Sequence, residues 1–258
     1  MYVTPKKRLG QHFLKDENIA KKIVSSLTLT DDTSNVLEIG PGTGVLTKYL
    51  LNEKKINLKV IEVDTESLDY LEKQYPQLKD KMIHADFLKC EINKIFDNPF
   101  HVIGNFPYNI SSQILFKVLE HKDLIPEVVG MFQKEVALRL ASTPNSKEYG
   151  IISVILQSFY SIEYLFTVSP QVFLPPPKVQ SAVIRLTRNE RKSIGCDDKL
   201  FVQVVKTAFN QRRKMLRNAL SSFGEGIKNI NPKYLTLRAE NLSIADFIEI
   251  TNCLSEGK

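Results

Sequence analysis

Val36-Leu37-Glu38-Ile39-Gly40-Pro41-Gly42-Thr43-Gly44 is a short apolar strand that runs into a glycine-rich turn, with an amphipathic stretch behind it. Glycines at 40, 42 and 44 let the chain turn tightly and let a ligand approach the backbone near a helix N-terminus. A second strand, Lys59-Val60-Ile61-Glu62-Val63-Asp64, brings an acid about twenty positions later, where folds of this kind hold ribose hydroxyls with a carboxylate. Glu62 is the first choice for that role; Asp64, on the same side one step further out, is the rival. A third strand ends at His84-Ala85-Asp86, and Asp86 either accepts from an exocyclic amino group such as that of adenine or caps the next turn.

Outward from this stretch, short apolar strands alternate with amphipathic helices: strands near 35–39, 56–63, 82–85, 100–104 and 127–132, helices near 45–52, 65–75, 111–120 and 134–142. The alternation predicts an α/β fold, a parallel Rossmann-like sheet with helices on both faces and ligands at the carboxyl ends of the strands. Two further strands, near 162–168 and 181–187, would complete its far edge. Between them Phe173-Leu174-Pro175-Pro176-Pro177-Lys178 reads as a rigid extended loop. Residues 1–18 show no period and read as an N-terminal arm, after which Asp16 caps a helix with Ile19, Ile23, Val24 and Leu27 on one face. A polar segment from 188 to 198 is the expected linker, so the predicted domains are 1–188 and 189–258. The second is a small helical bundle, in which Val202, Val205 and Phe209 share a face and Ser243 to Asp246 form a capping box.

The 258 residues are 43% hydrophobic, enough for one good core and a small second domain. No apolar run is long enough for a membrane span and the N-terminus lacks a signal core, which predicts a cytoplasmic protein with no membrane partner. Cys90, Cys196 and Cys253 are scattered and the four histidines do not join them, so neither a disulfide nor a metal site is expected. Lys and Arg outnumber Asp and Glu by 35 to 29, and residues 189–258 hold 12 against 8, so most of the +6 excess lies in the last 70 residues. That tail leans toward a polyanion.

The glycine turn lacks the G-x-x-x-x-G-K-[ST] of a phosphate-gripping loop, and no arginine stands there for a diphosphate. A cofactor with adenosine but without phosphates fits, and S-adenosylmethionine is the common one. Beside it, Val102-Ile103-Gly104-Asn105-Phe106-Pro107-Tyr108 is a buried strand stopped by a proline that has no N–H for a ladder. Its end offers two acceptors, the Asn105 side-chain oxygen and the Phe106 carbonyl oxygen, next to the Tyr108 ring. That set suits a planar amine, and a methyl donor at the same place implies methyl transfer to an exocyclic nitrogen. Accepting both N–H bonds would aim the nitrogen lone pair at the methyl carbon. Tyr108 would stack on a flipped-out base, with Phe173 the candidate for its other face.

The chain resembles the ribosomal RNA adenine N6-dimethyltransferase family, in the branch that modifies small-subunit RNA and is linked with kasugamycin sensitivity. The resemblance rests on Gly10-Gln11-His12-Phe13-Leu14, residues 38–44, Val60-Ile61-Glu62-Val63-Asp64, residues 104–111, Gln133-Lys134-Glu135-Val136, residues 144–150, residues 173–179 and Ala208-Phe209-Asn210-Gln211-Arg212-Arg213-Lys214. It implies a class I methyltransferase sheet, and S-adenosylmethionine contacts from His12, Leu14, Gly40, Glu62, Asp86 and Asn105. It implies a target-adenine pocket of Asn105, Phe106, Tyr108 and Phe173. The implied reaction is N6,N6-dimethylation of two adjacent adenosines in the 3′-terminal hairpin loop of 16S ribosomal RNA, within a nearly assembled small subunit. Phe106 stands where the family more often has Leu, and a bulkier side chain facing the pocket would crowd a monomethylated amine. His12 stands where the family often has Asn.

Arg212, Arg213 and Lys214, with Arg217 one turn on, would place several cations on one helix against RNA phosphates. Lys6, Lys7 and Arg8 are a second expected RNA contact, with Arg139 and Lys147 ranked below them. A monomer that does not act on DNA is expected. The alternatives are the related large-subunit dimethyltransferase, which the 208–214 block disfavours, and a noncatalytic RNA-binding assembly factor, which Glu62, Asp86 and Asn105 disfavour.

Overall fold

The computed structural model describes residues 3–29 and 33–255. Residues 1 and 2 of the expected arm, residues 30–32, and residues 256–258 of the expected second domain lie outside the described residues. The strands in chain order are β1 (Phe13–Leu14), β2 (Ser34–Ile39), β3 (Ile56–Glu62), β4 (Met82–His84), β5 (Phe100–Asn105), β6 (Glu127–Gln133), β7 (Tyr160–Val168), β8 (Phe173–Leu174) and β9 (Ser181–Arg188). The helices are α1 (Glu17–Val24), α2 (Thr47–Asn52), α3 (Thr65–Gln74), α4 (Ser111–Glu120), α5 (Lys134–Leu140), α6 (Ile151–Gln157), α7 (Asp198–Asn210), α8 (Leu216–Ala219), α9 (Pro232–Leu235) and α10 (Ile244–Ser255). Every strand and helix expected between residues 35 and 187 is present within a few residues of its predicted bounds.

A seven-stranded sheet has the order β4-β3-β2-β5-β6-β9-β7. Strands β4 to β6 pair in parallel, and β9 runs antiparallel to β6 with Gly130 opposite Ile184. β2 is central because it is apolar on both faces: Val36 and Leu37 are fully buried and Ile39 nearly so. The strand order reverses between β2 and β5, which is where ligands collect in such sheets. The arm adds a two-stranded pair, with Phe13 opposite Leu174 and Leu14 opposite Phe173.

The Phe106 ring leaves the strand end and enters the core. It meets Phe132 edge-on with centroids 5.2 Å apart, in a slot made by two glycines. A Cβ at Gly130 would lie 2.3 Å from Phe106 Cε2, and one at Gly104 would lie 2.6 Å from the Ile39 carbonyl oxygen. The bulk expected at the amine pocket is therefore buried in the core. Gly130→Ala should cost about 1–3 kcal/mol through overpacking. Urea unfolding is the check, and part of that loss should return in Gly130→Ala/Phe106→Leu, because the two residues share the slot.

The chain separates into two compact units, residues 1–137 with 162–188, and residues 138–161 with 189–258. Residues 138–161, expected in the first domain, thus belong to the second unit. Their anchors are long-range: Asn145 N donates to Glu240 O, and Tyr149 meets Phe209 edge-on. Within that unit α10 opens with the expected capping box, Ser243 and Asp246 bonding each other's main-chain N–H. The cations at 212–214 lie in the turn after α7, not on a helix as expected.

Candidate active site

At the carboxyl ends of β2, β3 and β5 lies a cavity of about 260 Å³, roofed by arm residues 8–13. Gly40 and Gly42 enter from the turn after β2, both with positive φ. A Cβ on Gly40 would meet nothing within 4 Å, so this backbone faces open space. Glu62 and Val63 enter from the end of β3, Asp86 and Leu88 from the loop after β4, and residues 105–110 from the end of β5 and the segment after it.

Glu62 is buried, and its Oε1 accepts from the main-chain N–H groups of Val63 (2.8 Å) and Asp64 (2.9 Å), with Gly42 N at 3.4 Å from Oε2. Burial pushes its carboxyl above the usual range against the pull of those amides. Asp64, the rival, does not line the cavity: it bonds Lys6 and Ser67. Burial pushes the Asp64 carboxyl up, but hydrogen bonds from Lys6 and Ser67 outweigh it and hold the group below its ordinary value. Asp86 both lines the cavity and caps, its Oδ1 accepting from Leu88 N at 2.9 Å.

Asn105 Nδ2 donates to the His12 carbonyl oxygen at 2.8 Å. That bond fixes the amide, so Oδ1 is the atom left without a protein partner among the described residues. Phe106 lines the cavity although its ring is buried, and its carbonyl oxygen also accepts no bond among the described residues. Tyr108 is positioned by Ser181, hydroxyl to hydroxyl at 2.5 Å, and burial raises its phenol. The cavity thus has two open acceptors and an aromatic ring at one strand end.

Several expected site residues lie elsewhere. Leu14 lines a small adjoining cavity with Glu38 and Thr43. Phe173 is 1% exposed and packs in the core with Leu14, because the β1–β8 pair turns its ring inward. Lys6, expected on RNA, is bound by Asp64 and Glu66 and latches the arm to the end of β3. Arg212 also departs from expectation: its Nε bonds Glu240 at 2.6 Å and its NH2 bonds the Lys147 carbonyl oxygen at 2.6 Å, tying the 146–147 loop to Glu240 within the second unit. Lys7, Arg8, Arg213, Lys214 and Arg217 are exposed and carry no ion pair among the described residues. No helix among the described residues is long and apolar enough to cross a membrane.

Two contributors escaped the sequence reading. Val63 is apolar yet 48% exposed at the cavity, which its place beside Glu62 could have signalled. Glu38, an acid inside an apolar strand, is almost fully buried and accepts from Thr47 Oγ1 at 2.6 Å. Burial pushes its carboxyl up to about 8, with the Thr47 hydroxyl opposing and the charge of Glu62 adding to the rise. An acid raised in the folded state binds a proton that the unfolded chain has lost, so between about pH 4.5 and 8 stability falls as pH rises. The slope is at most about 1.4 kcal/mol per pH unit. Glu38→Gln should flatten this fall in urea midpoints measured from pH 5 to 8; an unaltered slope would place its source in another group.

Residues 3–256 match the family model described as "Ribosomal RNA adenine dimethylase". A relative in Cytophaga hutchinsonii, "Ribosomal RNA small subunit methyltransferase A", is 56% identical over 253 residues, 98% of each chain. One of the same name in Flavobacterium johnsoniae is 57% identical over 250 residues, 96% of this chain and 95% of its own. Among solved structures, a dimethyladenosine transferase from Plasmodium falciparum superposes with TM-score 0.79 at 25% identity, covering 93% of this chain and 96% of that one. The 23S rRNA methyltransferase ErmE, at TM-score 0.70 and 22% identity over 94% of this chain and 99% of its own, shares the fold. A match that runs from the arm through the last helix, with relatives above half identity along their length, makes the chain a member of the ribosomal RNA adenine dimethylase family.

Proposed function

We propose that the protein transfers methyl groups from S-adenosylmethionine to N6 of two adjacent adenosines in the 3′-terminal hairpin loop of small-subunit ribosomal RNA, two to each, late in subunit assembly. The observation that carries this reading is the pair of open acceptors, Asn105 Oδ1 and the Phe106 carbonyl oxygen, beside the Tyr108 ring in the cavity that Glu62 and Gly40 also line. The name carried by the bacterial relatives supports the choice of subunit.

The cavity residues fit a phosphate-free adenosine cofactor. Glu62 offers a carboxylate for ribose hydroxyls, Val63 an apolar face for a base, Asp86 a carboxylate oxygen for an amino group, and Gly40 an open backbone. His12 and Asn105 complete the set, with Leu14 at the small adjoining cavity. When bound, S-adenosylmethionine supplies an electrophilic methyl group. An exocyclic adenine nitrogen is a weak nucleophile because its lone pair is delocalised into the ring. Asn105 Oδ1 and the Phe106 carbonyl oxygen accept its N–H bonds and hold the amino group so that its lone pair faces the methyl carbon, so the protein's contribution is orientation. Tyr108 holds the base by stacking. Neither acceptor is titratable, and the product's surplus proton goes to solvent. The first unit does this chemistry, and the helical unit holds RNA through Arg213, Lys214 and Arg217.

The test is mass spectrometry of ribosomal RNA from cells lacking the protein, with methylation of their small subunits by the purified chain. Loss of N6,N6-dimethyladenosine from small-subunit RNA and its return in vitro are expected. Unchanged dimethyladenosine in those cells, or label that appears in large-subunit RNA, would refute the proposal.

A further inference from the structure

We propose that the His12 imidazole is a placeholder for the target base: it lies on the Tyr108 ring in the free protein and must leave that face for the base to stack. The proposal rests on the reading of Tyr108 as the stacking residue and adds a residue that controls admission of the base.

The His12 and Tyr108 rings are stacked, with centroids 5.5 Å apart and planes 27° from parallel. A base inserted between two rings needs roughly 7 Å, two layers at carbon contact distance, so base and imidazole cannot share this gap. Phe173, the ring expected opposite Tyr108, is 1% exposed, and reaching the slot would require unpairing β1 from β8. His12 thus occupies the space that the expectation gave to Phe173.

Its two anchors differ in kind. The His12 carbonyl oxygen is held by Asn105 Nδ2 at 2.8 Å, and β1 begins at the next residue, which fixes the backbone. The imidazole is held by one bond, Nδ1–H to the Pro175 carbonyl oxygen at 2.7 Å, on the exposed proline loop. Rotation about the side-chain bonds therefore frees the Tyr108 face without disturbing the bond that orients Asn105. The same rotation breaks the contact with Pro175, so entry of a base also releases the arm from that loop.

Loss of a stack of this kind shifts an equilibrium roughly 2- to 13-fold. His12→Ala should therefore raise kcat/KM toward unmethylated small ribosomal subunits by that factor, with S-adenosylmethionine held saturating as judged by calorimetry on the variant. A merely structural histidine would lower it, so an unchanged or lower kcat/KM overturns the placeholder. Tyr108→Leu separates the two readings: if it methylates subunits as well as the unaltered protein, the assignment of Tyr108 itself fails. A second measurement does not depend on the folding of His12→Ala. In the free protein the His12 Cε1–H signal, assigned by its loss in His12→Asn, should lie upfield through the Tyr108 ring current and move downfield in Tyr108→Leu. A signal at the same position in both would show that the rings do not stack in solution and would overturn the proposal.

Discussion

Asn105→Ala is expected to lower the single-turnover methylation rate about 100- to 1,000-fold while leaving small-subunit binding within a few-fold. That magnitude is the loss seen when one preorganised polar group is removed from a dry catalytic site. Here the group is Oδ1, which has no protein partner among the described residues, while Nδ2 is spent on the His12 carbonyl oxygen. The alanine variant loses that tether too, so cofactor binding should be measured alongside. Asn105→Asp keeps an oxygen but loses the donor to His12 and adds charge at the cavity that Glu62 lines, and it should recover little of the rate. A rate near that of the unaltered protein in Asn105→Ala would remove the acceptor pair as the cause of catalysis.

The second large effect is on RNA binding. Neutralising Arg213, Lys214 and Arg217 together should reduce the slope of log affinity against log salt by about 2–3, since each phosphate contact contributes roughly 0.7–0.9. Filter binding to small subunits across a salt series measures it, and an unchanged slope would show that this surface faces away from RNA. Arg212 behaves differently despite its place in the same run. Its guanidinium is consumed by Glu240 and by the carbonyl oxygens of Ser146 and Lys147. Arg212→Ala should leave the salt slope nearly intact and lower stability by on the order of 1–3 kcal/mol, the usual loss for a hydrogen bond to a charged group.

The sequence by itself determined the sheet, because burial on both faces leaves near-continuous apolar strands and the helices between them keep a 3.6-residue period. It also determined the turn at Gly40 and the carboxylate at Glu62, since both are set by local backbone chemistry at a strand end. The acceptor pair at Asn105 and Phe106 was legible for the same reason: Pro107 ends the ladder, whatever packs around it. Only the tertiary structure decided where the large and charged side chains went. Phe106 turned into the core because Gly104 and Gly130, on neighbouring strands, leave a slot for its ring. Phe173 was buried by pairing with a strand some 160 residues away, and Lys6 and Arg212 were claimed by acids 58 and 28 residues distant. A local pattern reports the period and polarity of an element; it does not report which distant group will neutralise a charge or which void will admit a ring, because those partners are chosen when the elements pack.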